Sequence, residues 1–192
     1  MKDFFAVTSL AISLGANIPY ALDILKGKTR PERIAWLLWT ILGGTYYLSS
    51  LIDEGATFLT FGEVVGPVII FILSLKYGVG GKSRFDIVSL VIASIAFVLL
   101  FVLEGVLVSL LIALFIDSIG MVLTIRKLRL DPTSESRLFW ALGIVSGSFG
   151  LLSLESYSLT AILFPAYLAI ASALIVHEIH KAKPHPERIK DL

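Results

Sequence analysis

The sequence predicts an all-α integral membrane protein with seven transmembrane helices. Two observations support this fold class, namely the apolar composition of the chain and the way its positive charge is sorted. Of the 192 residues, 56% are hydrophobic and only 16% are charged, and the mean hydropathy is +0.88. Soluble domains carry about 25% charged residues. This composition is therefore typical of a chain that places most of its surface in lipid.

The positive charge is confined to alternate gaps between the apolar stretches. Of the 16 Lys and Arg residues, all but Lys2 lie in three of the gaps and in the tail. These segments are 26–33, 76–84, 126–137 and 181–190. The other gaps, which contain no Lys or Arg, are at 53–54, 104–105 and 155. Cytoplasmic loops of multi-pass membrane proteins retain Lys and Arg. The pattern predicts a cell-membrane protein with its N-terminus outside and its C-terminus in the cytoplasm.

Each apolar stretch is long enough to cross the hydrocarbon layer, which takes about 20 residues in a helix. The predicted helices run over about 4–25, 33–52, 57–77, 86–103, 106–126, 137–154 and 158–180. The loop Thr29-Arg30-Pro31-Glu32 has the pattern of a capping box, with Thr29 as the cap of the second helix. Glycines at 78, 80 and 81 are expected to end the third helix.

The first and last thirds of the chain resemble each other, which predicts an internal repeat. Shifts of 98 to 104 residues pair Asn17 with Asp117, Trp36 with Trp140, and Pro67 with Pro165. The predicted units are a first three-helix bundle (1–80), a linker helix (81–104), a second three-helix bundle (105–180) and a cytoplasmic tail (181–192). A fourth helix restores the chain direction, so the bundles form a 3+1+3 parallel repeat. Repeats of this kind are typical of transporters.

The 3+1+3 plan and the stretch Ile18-Pro19-Tyr20 in the first helix resemble the SWEET and PQ-loop (MtN3-like) superfamily, which includes the PnuC-type vitamin transporters. The hallmark of that superfamily is a Pro-Gln pair in the first helix of each bundle. Here Pro19 stands without Gln, and the matching segment Ile119-Gly120-Met121 has no Pro. The resemblance implies a SWEET-like fold, transport of a small polar solute by alternating access, and a hinge at Pro19.

Polar and aromatic residues deep in the predicted helices suggest a solute site. Asn17 and Asp117 lie at matching positions, and polar groups at such depth should face the bundle interior because lipid cannot solvate them. The alternative for Asn17 and Asp117 is a structural hydrogen bond between helices. The alternative for Glu63 is a water-facing position near the membrane interface. Trp36 and Trp140 fit interfacial anchors. The predicted lining of the site is Asn17, Trp39, Tyr46, Glu63, Asp117 and Ser146.

Three prolines inside predicted helices are candidate hinges, because each removes a backbone hydrogen bond and kinks its helix. They are Pro19, Pro67 and Pro165. The alternative is a static kink that aids packing. Glycines at 143, 147 and 150 are expected to permit close helix contacts.

No catalytic set or cofactor motif is present in the sequence, so the chain is predicted not to be an enzyme and to need no cofactor. The cluster His177, Glu178 and His180 lacks a further good ligand, which argues against a metal site. The expected partners are the lipid bilayer and a small polar solute, with no nucleic acid and no required oligomer. The absence of Cys and Gln suggests a thermophilic source. The alternative function is a non-transporting receptor, lipid-binding protein or scaffold on the same fold.

Overall fold

The computed structural model of the chain describes the backbone of residues 1–52 and 57–181 and their side chains, apart from those of 49–52 and 57–63. These residues form seven helices, which are α1 (Lys2–Leu25), α2 (Arg33–Ile52), α3 (Thr57–Tyr77), α4 (Arg84–Val102), α5 (Val106–Leu130), α6 (Arg137–Ser153) and α7 (Leu159–Lys181). Among the described residues, α1, α4, α5 and α7 are long and apolar enough to cross a membrane. All the regular elements of the described residues are helices, as the sequence predicts.

The predicted helix bounds agree with the structure to within two residues, except at the end of α5. This helix was expected to end at 126 and continues to Leu130. The prediction was wrong because it treated the cations at 126–129 as a solvated loop. In the structure each of the three cations pairs with a carboxylate, so the helix can continue through them; the pairs are Arg126–Asp86, Lys127–Glu135 and Arg129–Glu178.

The helices are arranged in a closed circuit. Helix α1 contacts α3 and α6, α2 contacts α3 and α5, and α7 contacts α5 and α6. Followed from neighbour to neighbour, the order is α1, α3, α2, α5, α7, α6 and back to α1. Helix α4 lies outside the circuit against α5, with a smaller contact to α2.

The loop between α1 and α2 is bonded to the loop between α3 and α4. Val79 donates its N–H to the carbonyl of Pro31 at 2.9 Å, and the Arg33 guanidinium reaches the carbonyl of Gly80 at 2.9 Å. Gly80 has a φ of +82°, a left-handed conformation that glycine adopts without strain. The predicted cap is replaced by Glu32, whose carboxylate accepts the N–H of Ala35 at 2.6 Å.

Helices α6 and α7 pack closely through the glycines of α6, which confirms the predicted role of those glycines. A Cβ atom added at Gly147 would lie 2.7 Å from the backbone nitrogen of Ala169 and 2.7 Å from the carbonyl oxygen of Pro165. A Cβ at Gly150 would lie 3.0 Å from the ring of Pro165. The backbones of α6 and α7 therefore approach too closely for a larger residue at 147.

We expect Gly147→Ala to lower the free energy of unfolding by about 1–3 kcal/mol, because the added methyl group would meet backbone atoms. Gly44→Ala is the matched control, since Gly44 lies in α2 and has no atom within 4 Å of an added Cβ. The control should be neutral or slightly stabilising, because alanine favours helix. Thermal unfolding of the purified protein in detergent measures both changes. Equal effects of the two variants would contradict the packing described here.

Candidate functional site

A carboxylate lies at the middle of α5. Asp117 is the twelfth of the 25 residues of α5, so it is far from either end of the helix. The hydroxyl of Tyr167, in α7, donates to Oδ2 of Asp117 at 2.5 Å. The hydroxyl of Ser118 lies 3.2 Å from the Tyr167 oxygen. Among the described residues no Lys or Arg forms an ion pair with Asp117.

The indole of Trp39, in α2, forms another wall of this site. A Cβ atom at Gly120 would lie 2.9 Å from Cε2 of Trp39, so the ring rests on the glycine one turn after Asp117. The buried Nε1 of Trp39 lies beside the Asp117 carboxylate. Within the described part of the chain, Nε1 has no hydrogen-bond partner of acceptable geometry. A buried donor without a partner is costly, and it lies beside an acceptor. We call Trp39, Asp117 and Tyr167 the central polar site.

The structure does not bond Asn17 to Asp117. Asn17 donates to the carbonyls of Ser13 at 3.1 Å and Leu14 at 3.4 Å, both in its own helix. Its amide group rests on Gly66 of α3, where an added Cβ would lie 2.6 Å from the Asn17 Cγ. Asn17 therefore lies between α1 and α3, whereas Asp117 lies between α5 and α7.

The other predicted site residues lie in different surroundings. Tyr46 is seven residues after Trp39 on one face of α2 and is 48% exposed. Ser146 is 2% exposed and exchanges hydrogen bonds with Ser9 of α1, at 2.8 Å and 2.9 Å. It joins α1 to α6. The side chain of Glu63 lies outside the described residues. The prolines at 19, 67 and 165 are inside helices, as predicted, and their role as hinges stays a prediction.

A second polar cluster, which the sequence reasoning missed, lies at the end of the molecule where the cations collect. The Lys127 ammonium pairs with the Glu135 carboxylate, and both side chains are 1% exposed. Glu135 also accepts hydrogen bonds from the Tyr20 hydroxyl at 3.0 Å and the Trp140 indole at 2.9 Å. Lys127 donates to the carbonyl of Arg30 at 2.7 Å. We call Tyr20, Lys127, Glu135 and Trp140 the ion-pair network.

The ion-pair network joins segments that are distant in the chain. Tyr20 belongs to α1, Lys127 to α5 and Trp140 to α6, while Glu135 precedes α6. An aromatic cluster packs beside it, with Tyr20 and Trp36 ring centroids 5.1 Å apart. The sequence carried one usable signal: Lys127 shares a helix face with Gly120 and Thr124, at i, i+4 and i+7. Both of those residues are small, as is typical of the faces by which membrane helices contact each other. That spacing marks Lys127 as inward-facing.

Glu32 lies outside the helices and is also buried, with 3% exposure. Its Oε2 accepts from Ala35, whereas Oε1 has no hydrogen-bond partner among the described residues. Burial disfavours the charged form and raises the pKa of Glu32 to about 7, although the N–H of Ala35 acts in the opposite direction. Glu32 thus carries a carboxyl group that titrates near neutral pH.

Comparisons of the chain with protein-family models, with curated proteins and with solved structures find no match. The resemblance to the SWEET and PQ-loop superfamily therefore stays a prediction. The fold and the two polar clusters must carry any argument about function.

Removal of one member of the buried ion pair should destabilise the protein strongly. We expect Lys127→Met to lower the free energy of unfolding by about 3–5 kcal/mol, because it leaves an unpaired buried carboxylate. The double variant Lys127→Met with Glu135→Gln should recover most of this loss, since the glutamine oxygen still accepts from Tyr20 and Trp140. Arg129→Met is the control, because the Arg129 side chain is 65% exposed and such pairs contribute about 0–1 kcal/mol. If the losses of unfolding free energy from the two substitutions simply add in the double variant, the pairing is contradicted.

The raised pKa of Glu32 predicts a pH dependence of stability. Between pH 4.5, the ordinary pKa of a glutamate, and about 7, the unfolded chain loses this proton while the folded chain keeps it. The contribution of Glu32 to the free energy of unfolding is therefore fully present below pH 4.5. It decreases, by up to ~3 kcal/mol, as pH rises to about 7. Glu32→Gln keeps an oxygen for Ala35 and should remove this slope. Melting temperatures of both proteins at pH 5 to 8 test it; parallel curves would contradict the assignment.

Proposed function

We propose that this chain crosses the membrane seven times and transports a small polar solute, such as a sugar, an amino acid or a vitamin precursor, by alternating access. The moving parts are two three-helix bundles, α1–α3 and α5–α7, connected by α4. The observation that carries the proposal is the helix circuit. Exchanging α1, α2 and α3 for α5, α6 and α7 converts the neighbour order into itself, which is expected of two parallel repeats related by a two-fold axis.

The deep polar residues support the proposed two-fold relationship between the bundles. Asn17 lies between α1 and α3 against Gly66, and Asp117 lies between α5 and α7 against Tyr167. These helix pairs exchange under the proposed two-fold axis. Ionisable residues within membrane spans are costly and mark solute or ion pathways by default. In the proposal the carboxylate of Asp117 accepts hydrogen bonds from the solute, and the N–H of Trp39, which has no acceptor among the described residues, donates one.

The ion-pair network supplies a gate in this proposal. It bonds Tyr20 and the Arg30 carbonyl, in the first bundle, to Lys127 and Glu135, in the second. The two bundles are thereby closed at the cation-rich end. Toward the other end, Tyr46 lies seven residues after Trp39 on α2 and is 48% exposed. The solute would enter past Tyr46, and rupture of the network would open the opposite side.

Transport is tested with purified protein in proteoliposomes. A thermal-shift screen with sugars, amino acids and vitamin precursors first selects a radiolabelled probe, because a ligand of the folded state raises the melting temperature. Asp117→Asn should then reduce uptake of that probe by about tenfold or more, since hydrogen bonds to a charged group contribute about 1.5–3 kcal/mol. Glu155→Gln is the control, because Glu155 is an exposed carboxylate in the loop between α6 and α7.

Unchanged uptake in both Asp117→Asn and Asn17→Ala would remove the site assignment. No thermal shift and no uptake with any probe would favour the alternative, a non-transporting receptor, lipid-binding or scaffold protein on the same fold. One observation favours that alternative: the polar groups of Ser146 and Asp117 already have partners within the protein. Uptake of a probe that raises the melting temperature therefore separates the two functions, because a receptor would bind the probe without transporting it.

A further inference from the structure

The structure contains a cavity whose lining includes none of the residues of the central polar site. It has a volume of about 460 Å³ and is lined by Phe85, Val122, Ile125, Arg126, Arg129 and Leu130. Phe85 lies in the first turn of α4, and the other five residues lie in the last third of α5. The cavity therefore lies where α4 begins and α5 ends, next to the cation-rich loops.

The lining of this cavity is amphipathic. Val122, Ile125, Arg126 and Arg129 share one face of α5, at i, i+3, i+4 and i+7. Val122 is 49% exposed, although it is apolar. The apolar wall reaches α4 at Phe85, and the following turns of α4 expose large apolar residues at Ile87, Val88, Val91 and Ile95. A face of this kind is suited to acyl chains, with the guanidinium groups at one end.

Both arginines keep hydrogen-bond donors for a further anion. Arg126 uses Nη1 for Asp86 at 2.8 Å and stacks over the Phe85 ring, with Cζ 5.0 Å from its centroid. Arg129 uses Nε and Nη2 for Glu178, at 3.1 Å and 3.2 Å. A guanidinium has five N–H donors, more than these contacts use. Among the described residues, Nη2 of Arg126 and Nη1 of Arg129 have no acceptor.

The local charge is positive even after these ion pairs are counted. Four cationic side chains and two acidic ones lie around the cavity and in the adjoining loop. The cations are Lys82, Arg84, Arg126 and Arg129, and the acids are Asp86 and Glu178. Basic pockets between membrane helices at the cytoplasmic interface bind anionic lipid headgroups. An arginine fork fits a phosphate group well.

We propose that this cavity is a binding site for an anionic phospholipid. The phosphate contacts the free donors of Arg126 and Arg129, and the acyl chains extend along the apolar wall from Phe85 and Val122 onto α4. The occupant is a membrane lipid rather than a soluble phosphate, because most of the lining is apolar. The proposal rests on the proposed membrane topology but not on transport, because none of the lining residues belongs to the central polar site.

The test measures binding of phosphatidylglycerol and phosphatidylcholine with identical acyl chains to the purified full-length protein, by native mass spectrometry and by thermal shift. The wild-type protein should prefer phosphatidylglycerol. Arg129→Gln should weaken that preference about fivefold, as expected from the contribution of one cationic side chain near an anionic headgroup. Val122→Trp should weaken binding without a change of charge, because it fills the cavity.

Two further variants are expected to strengthen lipid binding or to leave it unchanged. Glu178→Gln should strengthen phosphatidylglycerol binding, because it frees the remaining donors of Arg129. Arg137→Gln should leave binding unchanged, because Arg137 is an exposed cation outside the cavity at the start of α6. Equal binding of the two lipids, or equal losses in Arg129→Gln and Arg137→Gln, would overturn the proposal. Stabilisation by inorganic phosphate as large as that by phosphatidylglycerol would also overturn it.

Discussion

The structure depends on the cost of placing charge in hydrocarbon. An unpaired ion or backbone polar group in lipid costs several kcal/mol, so backbone groups are satisfied within helices and charges collect in alternate loops. The same constraint governs the charges that do become buried. Lys127 pairs with Glu135, and Asp86 pairs with Arg126. Asp117 is different, since it lies at mid-helix and forms no ion pair with a Lys or Arg in the described part of the chain. A carboxylate kept in such a place is the strongest indication of function in this chain.

The two ends of the helix circuit are held together by different forces. At the cation-rich end, the bundles are joined by hydrogen bonds from Tyr20 to Glu135 and from Lys127 to the Arg30 carbonyl, and Lys127 and Glu135 are themselves a buried ion pair. Toward the other end, α1 and α6 meet through the small residues Ser9 and Ser146, which allow a close approach. Charge-assisted bonds inside a low-dielectric region are stronger than contacts of small side chains. In our proposal this asymmetry defines which side of the solute pathway is closed.

The sequence predicted the helices well because a span of about 20 apolar residues is a local property of the chain. It also predicted the glycine contacts of α6, since small residues at helical spacing have few other uses. It did not predict which charges meet. Lys127 was grouped with loop cations, and Glu135 was not considered, because pairing depends on which helices are neighbours. Likewise, Asn17 and Asp117 were expected to share one cavity, whereas Asn17 bonds to carbonyls of its own helix α1 and Asp117 bonds to Tyr167 of α7.

The central claim, an odd number of crossings with the cation-rich end in the cytoplasm, is tested most directly by cysteine labelling. The chain contains no Cys, so single cysteines introduced at the exposed positions Asp3 and Lys181 report without background. A membrane-impermeant maleimide should label Asp3→Cys in intact cells and Lys181→Cys only after permeabilisation. Labelling of both positions from the same side would contradict the account.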